Sequence, residues 1–400
     1  MIETSPSDDQ QPLWFLILFA LAIGGGAIAY VPLLTVLLPL KVTALFGAED
    51  VAALARVTFY GAIVASLANI AFGMLSDRTR TRKPWIILGL ISSSALLILI
   101  GDASSLAELI LLVMAWQVGL NMMLGPLLAW AGDCVPDSQK GVLGGLLAIA
   151  PAMGAVAGSI VTFDALVPPD LRLFTVAAMV AATVLPIVIL GKGRERAALT
   201  KPVERVKQAS EELSRARAIV TRMWLARFLV QIAEAGLFAF LLFWLRSIIA
   251  DFHENTAANI FSLVLIVSIP LSLFFGRWSD ARGRPVAPLV TCASIAAAGL
   301  VVMAGATELV MAMIGYVLFG VSASIFLSLH TSQTLRVLPL PQHRGRDLGI
   351  FNLTNTIPSI VMPWLTLTLV PAFGFAALFI AFAGFALLAA ILLASNSTRR

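Results

Sequence analysis

Apolar runs close to the length that crosses a bilayer as helix, about 20 residues, alternate along the chain with short segments where glycine, proline and charge collect. Twelve such runs stand out, centred near residues 25, 63, 93, 118, 153, 181, 235, 266, 295, 320, 360 and 383. Each is expected to be a helix, because in lipid a single helix satisfies its own backbone donors and acceptors. The runs are too long and too uniformly apolar for the alternating strands of a membrane barrel. The pattern therefore predicts an all-α membrane protein with twelve transmembrane helices.

Composition strengthens that reading. Of the 400 residues, 59% are hydrophobic and only 12% are charged, against about 25% charged in ordinary soluble domains. The 27 lysines and arginines exceed the 22 acids, but they sit in short loops between apolar runs. That placement fits membrane orientation, so no nucleic-acid partner is expected. Cys134 and Cys292 are the only cysteines and no His/Cys group has metal-ligand spacing, so neither disulfide framework, metal nor cofactor is expected. The chain has no GxxxxGK[ST] phosphate loop and no nucleophile-base set, which argues against an ATP-driven pump within this chain and against an enzyme.

The charges sort by side. The loops after the even-numbered spans and the carboxyl tail carry all the bases except Lys41, Arg56, Arg172, Arg246 and Arg227. Basic residues count cumulatively for orientation, so both termini are expected in the cytoplasm of a cell whose inner membrane, most simply a bacterial one, holds the protein. The base-free start MIETSPSDDQQP and Lys41 after the first span vote the other way and are outnumbered. The first span exceeds a signal-peptide core and lacks a basic leader, so it is expected to stay in the mature protein.

A duplication is visible in the loops. The stretch FGMLSDRTRTRKPW begins at residue 72 and FGRWSDARGRP at residue 275, and both hold the pattern FGxxSD. QKGVLGG at 139 to 145 and HRGRDLG at 343 to 349 share a base-Gly step, Lys140-Gly141 and Arg344-Gly345, at nearly the same offset. Two pseudo-symmetric six-helix halves follow, residues 1–190 and 223–400, joined by a basic linker over 191–222. Within the linker Val203, Val206, Leu213 and Val220 fall near one helical face and Glu211 precedes Arg215 by one turn. An interfacial helix on anionic lipid and a solvated linker helix both fit.

On Gly73, Asp77, Arg78, Arg82 and Lys83, and the degenerate copy Gly276, Asp280, Arg282 and Arg284, the chain resembles the major facilitator superfamily of secondary transporters. The resemblance extends through the twelve-span, two-half layout. SDRTRTRKPW looks most like the form in sucrose-type and glycoside-pentoside-hexuronide carriers, although Arg80 stands where a glycine is common. The resemblance implies that this loop is a cytoplasmic latch. Asp77 would meet the positive N-terminal end of the eleventh helix near Leu348 and Gly349, with Asn352 or Asn355 adding donors and Arg78 and Arg82 holding neighbouring acids. A purely orienting role for the bases is the alternative.

Polar residues inside the spans are few. Arg227, Gln231 and Glu234 lie four and three residues apart, on one face of the seventh span. A carboxylate at mid-membrane is costly unless paired, protonated or facing water, which makes Glu234 the candidate proton-coupling acid, with a structural hydrogen bond as the alternative. Gln231 is placed to bridge it to Arg227, which itself sits where it can snorkel. The fourth span offers Trp116, Gln117 and Asn121, the tenth His330 and Gln333, and the first Gly24, Gly25, Gly26 and Tyr30. Gln117 and Asn121 suit solute hydroxyls or helix-helix glue; His330 suits a proton relay or packing; the glycines suit close packing or a bend. Asp133 is read as a loop or gate residue. Tyr30, Trp116 and Trp244 can stack on a sugar or anchor at the interface. By the resemblance, spans 1, 4, 7 and 10 line a central cavity, which is where these candidates fall.

The expected function is secondary active transport of a small organic solute, with sugar preferred, by a monomer that alternates access under a proton or sodium gradient. Pro151, Gly154 and Gly158 in APAMGAVAG partly match an exporter signature, so proton-driven export of amphipathic compounds is the alternative. A membrane assembly or sensing factor of the same fold is the third reading.

Overall fold

The computed structural model describes residues 11–79, 81–135, 139, 143, 146–147, 149–191, 210–282, 286–337, 353–355 and 357–397. Among these, every regular element is helical. Ten helical segments among the described residues are long and apolar enough to cross a membrane.

The first span runs from Leu13 to Phe46. It comprises α1 (Leu13–Pro32), a π-helical turn (Leu33–Leu37) and α2 (Leu38–Phe46). Proline supplies no N–H and its ring crowds the carbonyl one turn earlier, so the ladder widens at Pro32 instead of breaking. Thr35 Oγ1 donates to the Val31 carbonyl at 2.7 Å, giving that carbonyl a partner inside the irregular stretch. The irregularity lies at Pro32 and not at Gly24–Gly26. Those glycines serve packing: a Cβ on them would run into Met153, Thr183 and Leu124 respectively.

The remaining elements are α3 (Asp50–Thr79), α4 (Lys83–Ile100), α5 (Leu106–Cys134), α6 (Ala150–Val161), α7 (Arg172–Leu190), α8 (Ser210–Ile248), α9 (Glu254–Arg282), α10 (Ala287–Ala304), α11 (Leu309–Val337) and α12 (Pro358–Ser397). With 12 residues, α6 is short for a span. α12 covers both of the last two predicted runs, and its interruption is Gly374 at φ 71°, a backbone region open to glycine and closed to most side chains. α8 starts inside the predicted linker, so Leu213 and Val220 belong to the same continuous helix as the seventh span; Val203 and Val206 lie outside the described residues.

Two compact units emerge. The first takes Met1–Lys201 and Glu254–Ser262, the second Pro202–His253 and Leu263–Arg400. In the first, α4 and α3 pack on α5, and α1 packs on α6 and α7. In the second, α12 packs on α8 and α10, and α11 packs on α10 and α8.

A close helix crossing recurs in both. In α4 an ideal Cβ on Gly89 would lie 2.8 Å from the carbonyl oxygen of Gly119 on α5. In α10 a Cβ on Gly299 would lie 2.8 Å from the carbonyl oxygen of Gly315 on α11. Lipid tails are as apolar as leucine, so helices in a membrane gain by van der Waals approach, and small residues permit it. The third and fourth spans of each predicted half thus meet through the same glycine-on-glycine device, a structural echo of the duplicated loops.

Candidate functional site

In the second unit the polar face predicted on α8 forms as spaced. Gln231 Nε2 donates to Glu234 Oε2 at 2.5 Å, one helical turn apart, inside an apolar span with both side chains half-buried. The pair is local, so the i, i+3 geometry alone brings it together. The second predicted link, from Gln231 to Arg227, does not form. Gln231 Oε1 is buried with no protein partner, while Arg227 Nη1 donates to the Leu327 carbonyl of α11 at 3.4 Å and Nη2 to Asn355 Oδ1 at 3.3 Å. Arg227 is turned toward the elements packed beside α8, which no spacing along α8 can show. Asn355, expected as a latch donor, here accepts from Arg227.

His330 is fully buried on α11 and its Nε2 lies 2.9 Å from the Met223 carbonyl of α8. A ring nitrogen facing a carbonyl must carry the proton, so Nε2–H donates and ties the two helices. Its ring packs at 5.5 Å from Phe326. Tyr316, 3% exposed on α11, was not singled out from the sequence, where a tyrosine in an apolar run gives no sign of depth. Trp244 is 3% exposed and meets Phe379 edge-on at 4.9 Å.

In the first unit, α5 begins on a reciprocal cap: Ser105 Oγ accepts from the Glu108 backbone N–H at 3.2 Å, and Glu108 Oε2 accepts from the Ser104 N–H at 2.9 Å. That start sets the phase that carries Gln117 and Asn121 to one face. Asn121 Nδ2 donates to the Gln117 carbonyl at 2.9 Å and to its Oε1 at 3.3 Å, and Asn121 Oδ1 accepts from Asn69 Nδ2 on α3 at 3.1 Å. Both sides of the Asn121 amide are therefore engaged within the unit. Asn69 was missed from the sequence, although it is the one amide in the second apolar run. Trp116 is completely buried and its Nε1–H has no protein partner, so it offers no exposed face for stacking; Tyr30 is half-buried on α1.

The loop after α3 folds on its own helix end. Asp77 Oδ1 pairs with Arg82 Nη2 at 2.5 Å, and Arg82 Nη1 donates to Ser76 Oγ at 2.5 Å. Trp85 Nε1 donates to Thr79 Oγ1 at 2.9 Å. Asp77 stays 65% exposed and Arg78 is exposed, so both remain on the surface. Gly73 stands in open space. In the second copy Gly276 would place a Cβ 3.4 Å from Leu329, and Arg282 lies over the Trp278 ring at 4.6 Å. Asp280 belongs to α9, and its side chain, Arg284 and residues 348 and 349 lie outside the described part of the structure, as does the side chain of Asp133.

Comparison with known proteins bears on the whole of this geometry. Residues 223–399 match the family model of the Major Facilitator Superfamily. No curated protein matches the chain in sequence. Among solved structures, a bacterial homologue of the human lysosomal transporter Spinster superposes with a TM-score of 0.70 at 15% identity, covering 99% of this chain and 98% of that one. The nucleoside transporter NupG gives 0.69 at 14%, covering 95% and 99%. The human organic anion transporter MFSD10 (TETRAN) gives 0.66 at 16%, covering 96% and 100%. At these identities the likeness is one of fold. The sequence match to that family model covers residues 223–399, less than half of the chain, while the fold of its whole length is shared with these solved structures.

Proposed function

We propose that the protein is a secondary active transporter that moves a small organic solute by alternating access, and that Glu234 couples the movement to protons. One observation carries this: a carboxylate in the apolar seventh span held by a single side-chain amide, Gln231, while Arg227 on the same face bonds elsewhere. An acid so placed is costly to keep ionised in a dry surround and inexpensive when water reaches it, so its proton occupancy follows access. Gln231 suits both states. Its Nε2 donates to the ionised carboxylate, and rotation of the amide presents Oε1 to accept from the protonated one.

For the solute, the likeness of SDRTRTRKPW to sucrose-type carriers supports a sugar, while fold neighbours named for nucleosides and organic anions widen the panel. Export is the weaker reading. A Cβ on Gly154 would lie 2.7 Å from the Ala27 carbonyl, which gives the Pro151–Gly154–Gly158 stretch a packing reason of its own. A bacterial inner membrane, cytoplasmic termini and a monomer complete the proposal, on the strength of the basic loops.

The test is reconstitution of the protein and Glu234→Gln into liposomes holding a pH reporter, with sugars, nucleosides and organic anions added singly across a pH gradient. Solute-dependent proton movement in the wild type and its loss in Glu234→Gln is the expected result. Equal proton-coupled flux in both proteins removes Glu234 from the mechanism; opposed instead of joint movement of solute and proton assigns export.

A further inference from the structure

Over residues 227–245 of α8 a single stripe stays open. Every side chain there is buried except Arg227, Phe228, Gln231, Glu234, Ala235 and Phe238, which are partly exposed. Their spacing, alternating single steps with steps of one turn, draws one line down a helix. Lipid is a costly surround for a carboxylate in the middle of a span, so this line faces water or a solute and not hydrocarbon.

The polar groups that the stripe offers are acceptors. Gln231 uses Nε2–H on Glu234 Oε2, and its Oε1 is buried with no protein partner. A buried acceptor without a donor is unfavourable, and a ligand that brings an N–H or O–H removes the penalty. Arg227, the cation of the stripe, directs Nη1 to the Leu327 carbonyl and Nη2 to Asn355 Oδ1, and so does not pair with the carboxylate. Aromatic rings stand on both sides of the acid. Phe228 stacks on Trp224 with centroids 5.2 Å and planes 15° apart. Phe238 follows Glu234 by one turn, about 6 Å along the axis. An ammonium group is attracted by a ring face within about 6 Å as well as by a carboxylate.

We propose that this stripe takes an organic cation, a protonated amine on an aromatic or aliphatic body, with Glu234 as its counter-ion and Gln231 Oε1 accepting one of its N–H groups; the solute class rests on the transport reading of Glu234 given above. An ammonium carries several donors and no acceptor, which matches a face that presents acceptors. It also supplies the charge that an ionised carboxylate in an apolar span requires. The hydroxyls of a sugar would donate here too, but would leave that charge uncompensated. An organic anion would meet the carboxylate as a like charge, while Arg227 is engaged elsewhere.

The test compares three probes that share a ring and differ in charge: phenethylammonium, phenethyl alcohol and phenylacetate. Their binding to the full-length protein in detergent is measured by equilibrium dialysis in one buffer. The ammonium is expected to bind several-fold more tightly than the alcohol, and phenylacetate most weakly. Glu234→Gln should bring the ammonium down to the level of the alcohol while the alcohol still binds, which also shows that the variant is folded. Phe238→Leu should weaken the ammonium more than the alcohol. Phenylacetate bound as tightly as the ammonium overturns the cation class, and so does an ammonium preference that survives Glu234→Gln. Absence of ammonium binding overturns the site altogether. In liposomes, the expected preference without solute-dependent proton movement overturns the transport reading and leaves the cation site standing. Proton-coupled flux of sugars or anions in a protein that does not bind the ammonium overturns the cation class and leaves the transport reading.

Discussion

Replacing Gly299 by alanine tests whether the glycine crossing of α10 and α11 is as close as the geometry requires. An ideal Cβ there stands 2.6 Å from the Phe319 backbone nitrogen and 2.8 Å from the Gly315 carbonyl oxygen. Carbon contacts are at rest near about 3.5–4.0 Å, so the helices must part by roughly 1 Å. Both obstacles are backbone, so no side-chain rotation relieves them. Overpacking of this kind costs about 1–3 kcal/mol. Alanine also raises helix propensity by up to ~1 kcal/mol over glycine, which hides part of the cost. Gly384 on α12 removes that ambiguity, because a Cβ there meets nothing within 4 Å. Gly384→Ala carries the propensity gain alone, and the difference between the two variants isolates the steric term. For a unit of this size the term corresponds to a midpoint lower by about 2–4 °C for each kcal/mol. Thermal unfolding followed by tryptophan fluorescence in one detergent reads it directly. Equal midpoints for Gly299→Ala and Gly384→Ala would refute the close crossing.

Asp77→Asn is expected to lower turnover more than solute affinity. Its exposed pair with Arg82 is worth less than about 1 kcal/mol, so the melting point should hold; weakened affinity at unchanged turnover counts against a latch. Asn121→Leu leaves the Asn69 amide without its partner and should destabilise the protein by about 1–3 kcal/mol. Retained stability with lost solute binding would instead assign Asn121 to the solute.

Much of the site was legible where partners lie one turn apart. The Gln231–Glu234 bond and the engagement of Asn121 with Gln117 follow from three- and four-residue spacing, which any continuous helix realises. Arg227 was legible as a polar residue but not in its bonding: Leu327 and Asn355 stand 100 and 128 residues away in sequence. Asn69 joins Asn121 across two helices for the same reason. Arg172 was noticed only as one base among the few on its side of the membrane, and its burial between Asp164 and Glu254 had no local signature.

What the sequence determined by itself is the set of helices and their membrane character. Bilayer thickness and the need to satisfy backbone groups in lipid convert an apolar run into a spanning helix with little else required. What only the tertiary structure decided is which polar side chain meets which, where the glycines admit a neighbouring backbone, and that the first turns of α9 belong with residues some hundred positions earlier. Apolar faces in lipid are nearly interchangeable as partners, so hydrophobicity places each helix in the membrane but does not choose its neighbours. That choice is made by close packing and by a few hydrogen bonds between groups far apart along the chain.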